Sequence, residues 1–142
     1  MGKYDSLKLE NQICFPLYAA SREIVKQYHP FLIEIDLTYT QYITLMVLWE
    51  EKKISVKDLG QKLFLDSGTL TPVLKTMEKR GLITRNRSGK DERVLIVEIT
   101  KEGMALRDKA VDIPSKMASC SKLDADDAKE LYRILYKLLD TE

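Results

Sequence analysis

The chain has two thiols that could take part in redox chemistry, Cys14 near the N-terminus and Cys120 near the C-terminus. The sequence has no Cys-x-x-Cys pair and a single histidine, His29, which leaves too few ligands for a zinc site. A permanent disulfide is not expected in a reducing compartment. The two cysteines are therefore either inert buried thiols or a redox pair, and we predict no metal and no other cofactor.

Positive charge is concentrated in one segment of the chain. The whole sequence carries a formal net charge of only +1. Between residues 75 and 101, however, eight basic residues stand against four acidic ones (Lys75, Lys79, Arg80, Arg85, Arg87, Lys90, Arg93 and Lys101 against Glu78, Asp91, Glu92 and Glu98). Such a segment on a near-neutral body suits a protein that binds phosphate with one face, although many solvated surfaces look alike.

Length and composition predict one globular domain. The 142 residues are 44% hydrophobic and 32% charged, and they suffice for a single core. No run reaches the roughly 18 apolar residues that would span a membrane, and the N-terminal segment has no signal-peptide pattern. We therefore expect a cytoplasmic protein without a membrane partner.

The apolar periodicity and the capping residues predict the helices that must position these groups. Residues 7–29 are predicted to form a long helix with one largely apolar stripe, which His29-Pro30 is expected to end. Thr38 and Gln41 have capping-box spacing and open a helix to about Glu50. A short helix follows Ser55 and ends near Leu63.

The next segments have the order of a winged helix-turn-helix. Asp66-Ser67-Gly68-Thr69 starts a helix that ends at Arg80, before Gly81. The runs LITRNR and VLIVEI flank a polar turn at residues 88–91 and predict a β-hairpin. Thr100 begins a helix that is interrupted around Pro114, and Asp124 caps the last one.

These elements predict a mainly α fold with a small β-hairpin. Within the single domain 1–142, residues 38–103 form the winged helix-turn-helix unit. The helices of 1–35 and 104–142 have apolar stripes that so small a unit cannot bury, so we expect them to be dimerisation helices of a homodimer.

The second helix of a helix-turn-helix enters the major groove with its N-terminal residues at the base edges. The candidates at this helix N-terminus are short polar side chains and one lysine: Asp66, Ser67, Thr69, Thr71, Pro72 and Lys75. Ser67 and Thr69 could equally serve only to cap the helix. The predicted hairpin tip adds Arg85, Arg87, Lys90 and Arg93, which suit a minor groove. Asp91 is expected to structure the wing by fixing Arg93 rather than to contact DNA.

Two motifs resemble the MarR family of winged-helix regulators. The segment KDERVLIVEIT, followed by Lys101-Glu102-Gly103, is similar to the family's wing signature, and LDSGTLTPVLKTMEKRGLITR is similar to its recognition helix and first wing strand. In the N-terminal part, LENQICFPLYAASREIVKQY and LTYTQY resemble the organic-hydroperoxide-sensing branch, called OhrR. The resemblance covers nearly the whole chain and implies a homodimeric repressor that reads a pseudo-palindromic double-stranded DNA operator.

The resemblance also implies an oxidant sensor. Cys14 aligns with the family's reactive cysteine, and Tyr28 and Tyr39 align with tyrosines that hydrogen-bond this sulfur from the partner subunit. Cys120 corresponds to the late cysteine of a two-cysteine class, which forms a disulfide with the sensing cysteine across the dimer. An organic hydroperoxide would then be the signal. Without the resemblance, Cys14 and both tyrosines would be read as packing residues.

Four alternatives remain open from the sequence. A small cellular thiol, rather than Cys120, could react with oxidised Cys14. The repressor could respond to a small aromatic ligand instead of an oxidant. The protein could be a thiol peroxidase with Cys14 as nucleophile, but no peroxidase motif or catalytic histidine supports this. It could also be a protein-binding adaptor on the same fold.

Overall fold

A computed structural model describes residues 2–140 and divides the chain into two compact units, one up to Val111 and one from Asp112 onward. The first unit contains helices α1 (Cys14–Leu32), α2 (Tyr39–Glu51), α3 (Val56–Leu63), α4 (Ser67–Lys79) and α5 (Lys101–Ala110). It also contains strands β1 (Lys53–Ser55), β2 (Ile83–Arg87) and β3 (Leu95–Ile99). The second unit contains α6 (Ile113–Ser119) and α7 (Ala125–Leu139). The mainly helical, winged-helix fold class predicted from the sequence is confirmed.

Helices α2, α3, α4, α5 and α7 begin where a side-chain oxygen of the N-cap residue accepts from a backbone amide of the first turn. Thr38 and Gln41 form the predicted capping box, in which each side chain bonds to the backbone of the other residue. Ser55 accepts from the Asp58 N–H, and Asp124 accepts from the Asp127 N–H. Local sequence therefore determines these starts.

The sequence-based bounds of the first helix were wrong at both ends. Residues 5–11 form two 3₁₀ turns. Side-chain amides stabilise them: that of Gln12 donates to the Ser6 and Lys8 carbonyls, and that of Asn11 donates to the Asp5 carbonyl. The helix begins only at Cys14.

The helix also passes through Pro30 instead of ending there. Proline loses one backbone hydrogen bond, but its fixed φ is compatible with a helix. The next turn buries Leu32, which is 1% exposed, and the Ile33 N–H donates to the His29 carbonyl.

The sheet is antiparallel with strand order β1-β3-β2. Strands β2 and β3 are the predicted hairpin, and their register pairs Ile83 with Ile99 and Arg87 with Leu95. The three-residue β1 was not predicted, because its pairing with β3 joins residues far apart in sequence. The core lies between α2, α3, α4 and the sheet and includes seven side chains that are at most 1% exposed: Leu45, Leu48, Leu59, Leu70, Leu74, Met77 and Val97.

Within residues 2–140, no single helix has both the length and the apolar character needed to cross a membrane. Only the bent pair Cys14–Ile35 and Tyr39–Glu51, at 70° to each other, meets that test when the two helices are taken together.

Candidate nucleic-acid interface and thiol site

The N-terminus of α4 presents exposed short side chains. Asp66 is the N-cap, and its Oδ1 accepts from the Thr69 N–H at 2.8 Å. This hydrogen bond lowers the pKa of the Asp66 carboxyl, which is therefore a firmly ionised cap. Ser67, Thr69 and Pro72 are exposed beside it, whereas Thr71 is half-buried. The structure thus gives Asp66 a capping contact and leaves Ser67 and Thr69 exposed, with the Thr69 side chain also hydrogen-bonded to the Asp66 carboxylate.

Lys75 is exposed one turn further along the same helix, so that a cation follows the hydroxyl groups. Behind this surface, Leu70, Leu74 and Met77 are buried and fix the helix on the core. Pro72 is tolerated in the second turn of α4, where the Thr76 hydroxyl donates to the Pro72 carbonyl.

The tip of the wing, residues 88–94, is a turn that carries exposed cations. Ser88 N–H donates to the Val94 carbonyl at 2.7 Å and closes the turn. Arg87 and Lys90 are exposed beside it. Asp91 accepts from the backbone N–H of Arg93 at 3.0 Å and from its guanidinium at 3.2 and 3.3 Å.

These contacts orient Arg93 while its side chain stays 92% exposed, and they lower the pKa of the Asp91 carboxyl. Asp91 therefore acts on the conformation of the loop and of Arg93, and the guanidinium remains available to a ligand.

Arg85 lies elsewhere than the sequence suggested. It is in the middle of β2, not at the tip, and its side chain is only 17% exposed. Its guanidinium bonds to the Glu78 carboxylate of α4. The sequence shows a basic residue in a strand but not the acidic residue seven positions earlier that folds back to meet it.

The C-terminal end of α4 is also linked to the turn before α2, a contact that sequence reasoning missed. Arg80 follows α4, and its guanidinium donates to the backbone carbonyl of Asp36 and lies 3.5 Å from the Asp36 carboxylate. Asp36 has a left-handed conformation with φ of 53°, which places its carbonyl at the turn. Because the partners are 44 positions apart, no local sequence pattern predicts this contact.

Cys14 is exposed at the first position of α1, and Cys120 is exposed directly after α6. Periodicity alone favours a buried packing role for Cys14, but neither cysteine is buried. Among residues 2–140, no group of three or more histidine, cysteine or carboxylate side chains could hold a metal ion.

Tyr28 and Tyr39 belong to an aromatic cluster that also contains Tyr42. The ring centroids of Tyr28 and Tyr39 are 4.9 Å apart, and those of Tyr28 and Tyr42 are 5.7 Å apart. Burial raises the pKa of all three phenols, so they keep their protons and can donate hydrogen bonds at neutral pH. Tyr42 was not singled out from the sequence, although it occurs in the same LTYTQY segment.

The tyrosine cluster is far from Cys14 of its own chain. Both Cys14 and Tyr28 lie on α1, fourteen residues apart, and at 1.5 Å per residue this is about 21 Å along the helix axis. A hydrogen bond between the sulfur and these phenols therefore requires a Cys14 from another subunit.

Comparison with known proteins decides the family. The organic hydroperoxide resistance transcriptional regulator of Bacillus subtilis (strain 168) is 52% identical over 140 residues, which cover 99% of this chain and 95% of that protein. The chain belongs to the MarR family, in its OhrR branch. A family model described as transcriptional regulator SarA/Rot also matches residues 26–110.

Solved structures of similar MarR-type chains include AbfR, which is known from Staphylococcus epidermidis. Reduced AbfR bound to DNA is 34% identical with a TM-score of 0.78, covering 97% of this chain and 96% of that one. A disulfide-formed AbfR is 33% identical with a TM-score of 0.65, covering 97% of each chain. The Bacillus subtilis relative is a transcriptional regulator, and AbfR is known both on DNA and with a disulfide.

Proposed function

We propose that this protein is a redox-sensing transcriptional repressor whose reduced homodimer binds a pseudo-palindromic DNA operator and is released when an organic hydroperoxide oxidises Cys14. The observation that carries the proposal is the exposed Cys14 at the start of α1 in a chain 52% identical to an organic hydroperoxide resistance regulator. Because its target is DNA, we expect the protein to act in the cytoplasm.

The proposed DNA contacts are the exposed polar side chains at the start of α4 and the cations of the wing. Ser67, Thr69 and Thr71 would meet base edges or phosphates in the major groove. Arg87, Lys90 and Arg93 would bind the minor groove or the adjacent phosphates. AbfR, with the same fold, has been solved on DNA in its reduced form.

Two features support the homodimer. Each of the helices α1 and α7 leaves large apolar side chains exposed, including Phe15 and Tyr18 on α1 and Leu131 and Leu138 on α7. Several large exposed apolar side chains on one helix are typical of an interface. The distance along α1 between Cys14 and Tyr28 also requires a second subunit if the phenols are to donate to the sulfur.

In the proposed reaction, the Cys14 thiolate attacks one oxygen of the hydroperoxide, the O–O bond breaks, and the alcohol leaves after taking up a proton. The sulfur is thereby oxidised to sulfenic acid. The Cys120 thiol of the partner subunit then attacks this sulfur, so that the S–S bond forms and water leaves. The protein would react about once per Cys14, in contrast to a peroxidase, which turns over.

The disulfide would change DNA binding through the geometry of the dimer. The two recognition helices must match half-sites about 34–36 Å apart. Drawing the segment around Cys120 to Cys14 of the partner would shift the helices that join the subunits and so change this separation.

Two cysteine variants test the proposal. Cys14→Ser should bind the operator with unchanged affinity but fail to respond to cumene hydroperoxide in a gel-shift titration. Cys120→Ser should lose the disulfide-linked dimer on a non-reducing gel after oxidation. Release of Cys14→Ser by the hydroperoxide would refute the sensing role, and an unchanged dimer band in Cys120→Ser would exclude Cys120 as the resolving thiol.

A cavity favours one second candidate, a repressor that responds to a small aromatic ligand. The cavity has a volume of about 670 Å³ and is lined by Leu32, Leu37 and Tyr39, by Lys26 and His29, and by Arg80 with its partner Asp36. Apolar walls with a lysine and other polar groups suit an aromatic acid. A ligand sensor would still be induced in the Cys14→Ser variant, so the same titration separates the two candidates.

A further inference from the structure

At the base of the wing, the Glu78 carboxylate of α4 bonds twice to Arg85 of β2. Its Oε2 accepts from the Arg85 backbone N–H at 3.2 Å, and its Oε1 accepts from the guanidinium Nη2 at 3.1 Å. Glu78 is in the last turn of α4 and Arg85 is the central residue of β2. The pair therefore connects the end of the recognition helix to the first strand of the wing.

Arg85 is oriented toward the protein rather than toward solvent. Alternate residues of a strand share a face, and Arg85 follows the buried Ile83 on the inner face of β2. Its Nε is buried and has no hydrogen-bond partner among the described residues. An arginine side chain that is only 17% exposed and has an unsatisfied nitrogen is unfavourable by itself, and the contact with Glu78 offsets part of this cost.

We propose that Glu78 and Arg85 are positioning residues for DNA binding, which fix the wing at the angle to α4 that lets the helix and the wing tip bind DNA at the same time. The inference rests on the proposed DNA-binding function. Arg87 and the tip continue from Arg85 along the same strand, so a small rotation at Arg85 displaces the cations of the tip. Arg85 itself then makes no contact with DNA.

The variant Glu78→Gln tests this proposal, because the proposal and simple electrostatics predict opposite changes in its DNA affinity. The substitution keeps the shape and removes a negative charge from the helix that is proposed to bind DNA, so electrostatics alone predicts tighter binding. Loss of a hydrogen-bonded charge pair at the wing base predicts weaker binding, by about three- to tenfold. The matched control is Glu92→Gln in the wing tip, which removes the same charge from an exposed carboxylate and should leave affinity unchanged or raise it.

The duplex is one that the wild-type protein selects from a random-sequence pool, and affinity is measured at fixed salt by fluorescence anisotropy. Thermal unfolding of each variant is followed in parallel, and affinities are compared at a temperature at which all are folded. A hydroxyl-radical footprint of Glu78→Gln should lose protection where the wing binds and keep it where α4 binds.

The double variant Glu78→Gln, Arg85→Met completes the test. Its DNA affinity is compared with those of the two single variants, Glu78→Gln and Arg85→Met. If the two residues act only through each other, the double variant should bind DNA no more weakly than the single variant with the lower affinity. Additive losses, or a Glu78→Gln variant that binds as tightly as wild type or tighter, would overturn the inference while DNA binding stands. If wild type selects no duplex, the proposed function fails and the inference fails with it.

Discussion

The wing has two arginine–carboxylate pairs with the same hydrogen-bonding chemistry but different exposure to solvent. At the base, Arg85 is 17% exposed and its guanidinium is occupied by Glu78. At the tip, Arg93 is 92% exposed, and Asp91 bonds to it without covering it. The comparison teaches that the surroundings of an arginine, not its presence in a basic segment, decide whether it holds the fold together or is available to DNA.

Two glycines give the largest expected difference in stability: Gly103 of α5, which packs against the ends of β2 and β3 at the base of the wing, and Gly89 in the tip. A Cβ at Gly103 would overlap the Leu82 carbonyl oxygen and lie 2.8 Å from Ile99 Cγ1, whereas a Cβ at Gly89 in the tip would meet no atom within 4 Å. Gly103→Ala should therefore destabilise the protein by about 2–3 kcal/mol, because the base is closely packed. Gly89→Ala, the matched control, should change the free energy of unfolding by less than about 0.5 kcal/mol.

Urea-induced unfolding followed by circular dichroism measures both variants. Equal stability of the two alanine variants would mean that the base of the wing is no more closely packed than its tip, and the comparison would fail.

Arg93→Ala should weaken DNA binding by about 1–3 kcal/mol if the exposed guanidinium makes a specific contact. The free energy of unfolding should hardly change, since an exposed pair contributes little to stability. Arg107→Ala, an exposed arginine of α5, is the control for the loss of one positive charge. Equal affinities of the two variants for the selected duplex would remove Arg93 from the interface.

The smallest effects are those of pH. The bonds to Arg93 and Arg85 lower the pKa values of Asp91 and Glu78, so each pair contributes stability that is present above the ordinary carboxyl pKa. This contribution is lost as the pH falls through the lowered folded-state pKa. In an NMR titration of the side-chain carboxyl carbons, Arg93→Ala should raise the pKa of Asp91 alone, and Arg85→Met that of Glu78 alone.

A carboxyl whose pKa does not rise in its matching variant would show that the observed hydrogen bonds are not maintained in solution. A rise at both carboxyls in one variant would show that base and tip are not independent.

Most of the fold could be predicted from the sequence because its signals are local. The caps at Thr38, Ser55 and Asp124, together with Gly81 at φ of 77°, mark element ends by contacts within a few residues. The errors arose where local rules compete, as at Pro30, where burial of Leu32 outweighs the lost hydrogen bond. Strand β1 was missed since its pairing is long-range.

The candidate site was only partly accessible to sequence reasoning. The basic residues of the wing are visible as a charge pattern, but the partner of Arg85 and the contact between Arg80 and Asp36 depend on tertiary structure. The proposed roles of Cys14, Tyr28 and Tyr39 follow from family resemblance alone, because no spacing rule connects a cysteine with Tyr28 about 21 Å away on the same helix or with Tyr39 on the next one.

The most direct test of the account is the affinity of the wild-type protein for its selected duplex in three states: reduced, treated with stoichiometric cumene hydroperoxide, and then restored with dithiothreitol. We predict tight binding by the reduced protein, its loss on oxidation and its full recovery on reduction. An affinity that does not change with the hydroperoxide would contradict the account, because oxidation of Cys14 would then not control DNA binding.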